Sequence, residues 1–193
     1  MAAAKSTTSK TKKTTARRTS EGRTTPSRSQ KSGTAPAGVG VGRPLPRFSL
    51  VNQKGAIVDN ATLKGRSFVL YFYPKDDTPG CTREACGFRD IYSRLLRRGI
   101  SVVGVSPDST ERHAKFAEKY GLRFTLLSDD DRQFAKRCGV WVEKTLYGRT
   151  SFGIERSTFL VDGQGTIRRV WRRVKVDGHV DAVLQAIAEL GLG

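Results

Sequence analysis

Cysteine is scarce in this chain, with three in 193 residues: Cys81, Cys86 and Cys138. A secreted disulfide scaffold uses a denser, even set. The count argues against stapling and for a reducing, cytoplasmic setting. Histidine is scarcer still, with only His113 and His179. A zinc site needs about four ligands, and these two lie far apart along the chain. His113 is expected to face solvent from a helix, and His179 to sit near the cap of the last helix. No metal or other cofactor is expected. No apolar run approaches the ~18 residues of a membrane helix, so no membrane association is expected. The first charges are not followed by an apolar core, which argues against a secretory signal.

Residues 1–43 lack aromatic residues, Leu and Ile, and they hold a single acid, Glu21. Against it stand ten Lys and Arg, so this stretch carries +9 of the chain's +17. Such a segment cannot bury enough apolar surface to offset its ordering entropy, and it is expected to be a disordered basic tail. A solvated extension is the plainest role. Weak, salt-dependent attraction to nucleic acid through counterion release is a second. Without interleaved aromatics, such binding would be blind to sequence. An organelle transit peptide is a third, but there are no large apolar residues to form its amphipathic helix. From 44 to 193 the composition is that of one ordinary folded domain.

Within that domain, the most informative stretch runs from Tyr73 to Cys86, Tyr-Pro-Lys-Asp-Asp-Thr-Pro-Gly-Cys-Thr-Arg-Glu-Ala-Cys. An apolar strand, 67–73, delivers the chain to a turn, and a helical pattern follows. Thr78 suits a helix cap and Pro79 its first position, which puts Cys81 in the first turn. A thiol there faces free backbone N–H groups and the positive end of the helix dipole. Both favour thiolate, the reactive form of cysteine. Cys86 follows five residues later. This is the layout of a redox thiol that is oxidised and then rescued by a neighbour.

The remaining periodicities predict an α/β fold with a central mixed sheet flanked by helices. Residues 48–51 and 56–58 flank a turn and read as an N-terminal hairpin. The run 68–73 reads as a strand buried on both faces. A helix is expected from Pro79 to about Arg98, with Ala85, Phe88, Ile91 and Leu95 on its apolar face. A strand over 100–105 follows, then a helix from a Ser109 cap to about Tyr120, a strand over 124–127 and a short helix near 134–138. A hairpin over 158–161 and 166–171 and a helix over about 180–190 close the chain. Alternating strands and helices imply parallel members in the sheet. The Cys81 turn falls at the carboxyl end of a central strand, where open α/β sheets place their sites.

The segment from Leu70 to Cys86 resembles the active-site stretch of the peroxiredoxins of the bacterioferritin comigratory protein type, also called the Q type. The resemblance continues through Val105-Ser-Pro-Asp-Ser109, Phe116-Ala-Glu-Lys-Tyr-Gly-Leu122, Phe124-Thr-Leu-Leu-Ser-Asp129, Gly139-Val-Trp141 and Arg156-Ser-Thr-Phe-Leu160. It ends at Arg169 to His179 and covers residues 44–190. It implies a thioredoxin-like fold and a monomer that reduces hydrogen peroxide and organic hydroperoxides without metal, haem or flavin. Thioredoxin or a similar dithiol would be its reductant. Cys81 would be the peroxidatic cysteine and Cys86 the resolving one. Pro74, Thr78 and Cys81 match the family's Pro-x-x-x-Thr-x-x-Cys pattern, and Arg156 matches a distant arginine that reaches the same pocket. Cys138 stands where the family more often has an aromatic residue.

A Cys81–Cys86 disulfide is demanding for a helix. Five residues rise ~7.5 Å, which puts the Cα atoms roughly 8–9 Å apart, beyond the ~7 Å that a disulfide tolerates. The first turns must therefore unwind after oxidation. Attack on an O–O bond builds negative charge on the leaving oxygen, which the helix N-terminus and Arg156 can stabilise. Thr78 can offer its hydroxyl and Pro74 can shield the pocket. Cys138 reads as a small packed residue. The competing readings are a thiol–disulfide exchanger, a nucleic-acid-associated protein led by its tail, and a redox relay. The exchanger fits poorly, because four residues rather than two separate Cys81 from Cys86.

Overall fold

The computed structural model describes residues 39–146 and 149–193. The basic stretch 1–38 lies outside the described residues. From residue 39 the chain already belongs to the domain. Gly42 N–H donates to the Ile167 carbonyl, Ile167 N–H donates to the Arg43 carbonyl, and Val39 packs against the core.

Among the described residues, nine strands and four helices follow in order: β1 Ser49–Asn52, β2 Ile57–Asp59, β3 Phe68–Phe72, α1 Pro79–Arg97, β4 Ser101–Ser106, α2 Thr110–Tyr120, β5 Thr125–Ser128, α3 Gln133–Arg137, β6 Trp141–Leu146, β7 Arg149–Ile154, β8 Ser157–Val161, β9 Ile167–Trp171 and α4 His179–Glu189. Seven strands form one sheet in the order β2-β1-β5-β4-β3-β8-β9. The pairs β3–β4 and β4–β5 are parallel, and the outer pairs are antiparallel. This is the mixed sheet expected, with both terminal hairpins in place. Turn chemistry explains those hairpins. Asn52 Oδ1 accepts from the N–H groups of Lys54 and Ala56, and Asp162 Oδ1 accepts from those of Gln164 and Thr166.

A second sheet is missing from the sequence reading. β6 and β7 pair antiparallel as a separate ribbon. Its strands intersperse apolar residues with Glu143, Lys144, Thr145, Thr150 and Ser151, so no continuous apolar run advertises it.

β3 is the spine of the fold, and all five of its residues are buried. Its side chains alternate between two cores. Phe68, Leu70 and Phe72 join the cluster that holds α3. Val69, Tyr71 and the following Tyr73 join the cluster built with α1, α2 and α4. A continuous apolar run is therefore period 2 with both faces covered. Gly104 in β4 makes room for this arrangement, since a Cβ there would come within 2.8 Å of the Tyr71 ring and of Leu126. α1 presents Cys81, Glu84, Ala85, Phe88 and Leu95 as its buried stripe. The spacing i, i+3, i+4, i+7 is the helical one. No helix among the described residues is long and apolar enough to cross a membrane.

Candidate active site

β3 ends at Phe72, and the loop 73–78 turns the chain into α1. Thr78 occupies the N-cap with extended backbone, and Pro79 starts the helix. Proline suits that position because its missing N–H is needed by no helical partner. The expected capping hydrogen bond is not made. The Thr78 hydroxyl donates instead to the Lys75 carbonyl at 3.2 Å. Backbone geometry and Pro79 start this helix, and the hydroxyl closes the turn behind it. Pro74 lies half-buried at the start of the same loop.

Cys81, the third residue of α1, is only 1% exposed. Arg156, at the turn between β7 and β8, donates through Nη2 to its Sγ at 3.2 Å. The other terminal nitrogen, Nη1, donates to Glu84 Oε2. One guanidinium thus bridges a thiol and a carboxylate that lie three residues apart on one face of α1. Nη2 also lies close to Gly80, 3.4 Å from where a Cβ would stand. Burial works against the Arg156 charge, but Glu84 and Cys81 together hold its proton more firmly than usual. A planar fork of donors suits this double contact better than a single ammonium.

Glu84 was not singled out from the sequence. The signal was present, since an acid occupies a position in the apolar stripe of α1. The side chain is fully buried, and Oε1 has no hydrogen-bond partner. Burial raises its carboxyl to about 7, although the Arg156 charge opposes that rise.

Cys86 lies on the same continuous helix, partly exposed, and all three cysteines are free thiols. α1 touches the α4 region on both sides of Cys86, through an exposed ion pair at Arg83 and a close approach at Gly87. Arg83 pairs with Asp177 at 3.1 Å, and Gly87 lies so close to Val180 that a Cβ would approach it to 3.0 Å. Cys138 is the C-cap of α3 and fully buried, as a packed residue should be. Burial pushes its thiol far above the ordinary range.

Both histidines are committed to side-chain partners. His113 does not face solvent; it is 0% exposed and pairs with Asp76 at 2.7 Å. The expectation failed because α2 turns this residue toward β5 and the loop 73–78 rather than outward. His179 opens α4, close to where it was expected, and its Nε2 lies 2.8 Å from the Thr158 hydroxyl. Burial, with the Arg156 charge adding to it, lowers its ring to about 4.

The site therefore combines a buried thiol in the first turn of a helix, a cationic donor aimed at its sulfur, and a buried carboxylate that orients the donor. A second thiol follows on the same helix. Negative charge on the Cys81 sulfur, or on an oxygen bound beside it, meets both the Arg156 guanidinium and the positive end of α1.

Residues 41–170 match the model of the AhpC/TSA family. The chain belongs to this family, whose members here share its thioredoxin-like architecture. Its relatives place it among the Bcp, or Q-type, peroxiredoxins. The bcp protein of Coxiella burnetii is 51% identical over 144 residues, spanning 75% of this chain and 95% of that one. Peroxiredoxin Bcp of Bacillus subtilis is 45% identical over 150 residues, spanning 78% and 96%. Among solved structures, Peroxiredoxin Q of Xanthomonas campestris superposes with a TM-score of 0.71 at 41% identity, covering 74% of this chain and 90% of that one.

Proposed function

We propose that the protein is a thiol peroxidase in which Cys81 attacks the peroxide and Cys86 resolves the product. One observation carries the assignment of Cys81: Arg156 Nη2 lies 3.2 Å from its buried sulfur, in the first turn of α1. The family supports the reaction class. The bacterioferritin comigratory protein of Xanthomonas campestris, 40% identical, is described for its alkyl peroxide reduction activity.

The chemistry follows from the site. The Cys81 thiolate attacks one oxygen of a hydroperoxide, the O–O bond breaks, and the departing alkoxide or hydroxide takes up a proton and leaves as alcohol or water. Arg156 and the α1 N-terminus stabilise the charge on that oxygen as it develops. Glu84 keeps the guanidinium in the plane that reaches the sulfur. Pro74 and Thr78 shape the approach. The product is Cys81 sulfenic acid. The Cys86 thiol condenses with it, forming the S–S bond and releasing water. A dithiol reductant of the thioredoxin kind then reduces the disulfide, and its own thiols are oxidised. A monomer in a reducing cytoplasm fits this cycle, which needs no second chain and no cofactor.

The test is peroxide consumption with thioredoxin, thioredoxin reductase and NADPH. Cys81→Ser should abolish it. Cys86→Ser should keep one peroxide turnover per chain and lose recycling by thioredoxin. Undiminished steady turnover in Cys86→Ser would remove Cys86 from the role of resolving thiol.

A further inference from the structure

The buried pair Asp76–His113 has no part in the reaction just described, yet it holds the loop that carries it. Asp76 is 3% exposed and His113 is 0% exposed. Asp76 Oδ1 accepts from the Tyr73 hydroxyl at 2.7 Å. Asp76 Oδ2 lies 2.7 Å from His113 Nδ1, a contact that holds one proton. His113 Nε2 faces the Leu127 carbonyl at 3.1 Å. A carbonyl only accepts, so Nε2 carries the hydrogen. The imidazole thereby ties the loop before α1 to β5, at the centre of the molecule.

The tether is not alone. Asp76 N–H donates to Asp108 Oδ2 at 2.7 Å. Asp77, with a left-handed backbone at φ 58°, pairs with Lys119 at 2.7 Å and accepts from the Tyr120 hydroxyl. Every one of these partners, apart from Tyr73, comes from the segment 108–120. All the tethers meet at residues 76 and 77, immediately before the Thr78 N-cap.

We propose that Asp76 and His113 are positioning residues that set the balance between the folded and unwound states of α1's first turns. The inference rests on the two-thiol reading above. Peroxide attack needs α1 folded, because its N-terminus and Arg156 serve the sulfur together. Disulfide formation needs it unwound, because an intact helix holds the two Cα atoms roughly 8–9 Å apart. A loop fixed from the side of α2 keeps the helix start in place and delays unwinding. During that delay Cys81 sulfenic acid can meet a second hydroperoxide, giving sulfinic acid and alcohol, in competition with condensation onto Cys86. The clamp thus favours the first attack at the expense of the resolving step.

Three variants test this, graded by how deeply they cut. His113→Asn breaks the link to β5. Tyr73→Phe removes one hydroxyl from Asp76 and changes little volume. Lys119→Met removes an exposed tether and leaves the core intact. Stopped-flow measurement after one equivalent of hydrogen peroxide separates attack from disulfide formation. Intact-protein mass spectrometry at excess peroxide gives the sulfinic fraction.

Disulfide formation should accelerate about tenfold in His113→Asn and about threefold in Tyr73→Phe, within the range that loss of an ordinary intramolecular hydrogen bond implies. Lys119→Met should give a smaller gain. The sulfinic fraction should fall in step, while the attack rate holds or drops. If attack and resolution slow together in folded Tyr73→Phe and Lys119→Met, the pair is merely structural and the proposal fails. An unchanged partition between disulfide and sulfinic acid also overturns it. Peroxide consumption by the unsubstituted chain, measured alongside, tests the two-thiol reading separately.

Discussion

Cys81 and Cys138 are equally buried, and each has an arginine beside it. They differ in what that arginine touches. Arg156 donates to the Cys81 sulfur itself. Arg172 donates to the backbone carbonyls of Cys138 and Gly139 at 2.9 and 3.0 Å and leaves the thiol alone. The helix ends differ as well. Cys81 sits in the first turn of α1, at the positive end of the dipole, and Cys138 is the C-cap of α3, at the negative end. Burial alone penalises an anionic sulfur. A cationic donor and a helix N-terminus face one sulfur, and neither faces the other. What separates the two sulfurs is therefore direction rather than depth.

The sharpest way to break the comparison is to take the donor from Cys81. Arg156→Met should slow peroxide reduction by roughly 10²-fold, the usual cost of losing one donor to developing negative charge. Arg156→Lys should recover only part of the rate, because one ammonium cannot serve Sγ and Glu84 with two separate nitrogens. A rate within threefold of the unsubstituted chain for Arg156→Met would show that the α1 N-terminus alone suffices. Unwinding gives the next largest effect. Amides across 79–90 should lose hydrogen-exchange protection when peroxide converts the dithiol to the disulfide, and those of α3 around Cys138 should not. Equal protection in both redox forms would mean that the two thiols meet without melting α1.

Glu84 refines the contrast through pH. Its folded carboxyl titrates near about 7, raised by burial against the opposing charge of Arg156, while an unfolded glutamate titrates near 4.5. The folded state therefore holds the proton more tightly. Its stabilising contribution is complete below pH 4.5 and is lost as pH rises through about 7. At 1.36 kcal/mol per unit, the loss is at most about 3 kcal/mol. Glu84→Gln removes this dependence. Thermal midpoints of the two proteins should converge at pH 5 and separate by pH 8, with the glutamate protein the less stable. Parallel curves would mean that Glu84 is ionised throughout and that the guanidinium fully compensates its burial.

Much of the architecture was legible because local signals agreed with tertiary demands. The β3 run, the Ser109 cap and the glycine-ended helices were each specified within a few residues. Thr78-Pro79-Gly80-Cys81 announced a helix start with a thiol in its first turn, and Arg156 came through resemblance. What could not be read from the sequence was nonlocal. The orientation of His113 depends on a loop 37 residues away in sequence. Glu84 stands in the apolar stripe of α1, but its partner, a guanidinium 72 residues on, is set only by the folded core. The β6–β7 ribbon mixes its apolar residues with charged and hydroxyl side chains, which blurs the strand pattern. Sequence periodicity reports which face is buried, not which polar partner waits there.

The smallest effect bears most directly on direction against depth. Cys138→Ala should leave peroxide turnover unchanged, since its sulfur has no donor and its thiol is held protonated by burial. The cost should be about 1 kcal/mol of stability, for one small buried group removed from a packed cluster. Cys138→Ser should cost more, about 1–3 kcal/mol, because it buries a hydroxyl where sulfur had needed no partner. In the unsubstituted protein, iodoacetamide should modify Cys81 and Cys86 long before Cys138. Denaturant should bring all three to similar rates, because the difference is made by folding. If Cys138 instead reacted as fast as Cys81 in the native state, neither the helix end nor the arginine's target would be what separates the two thiols. Unequal exposure during transient opening would then have to explain the chemistry of both.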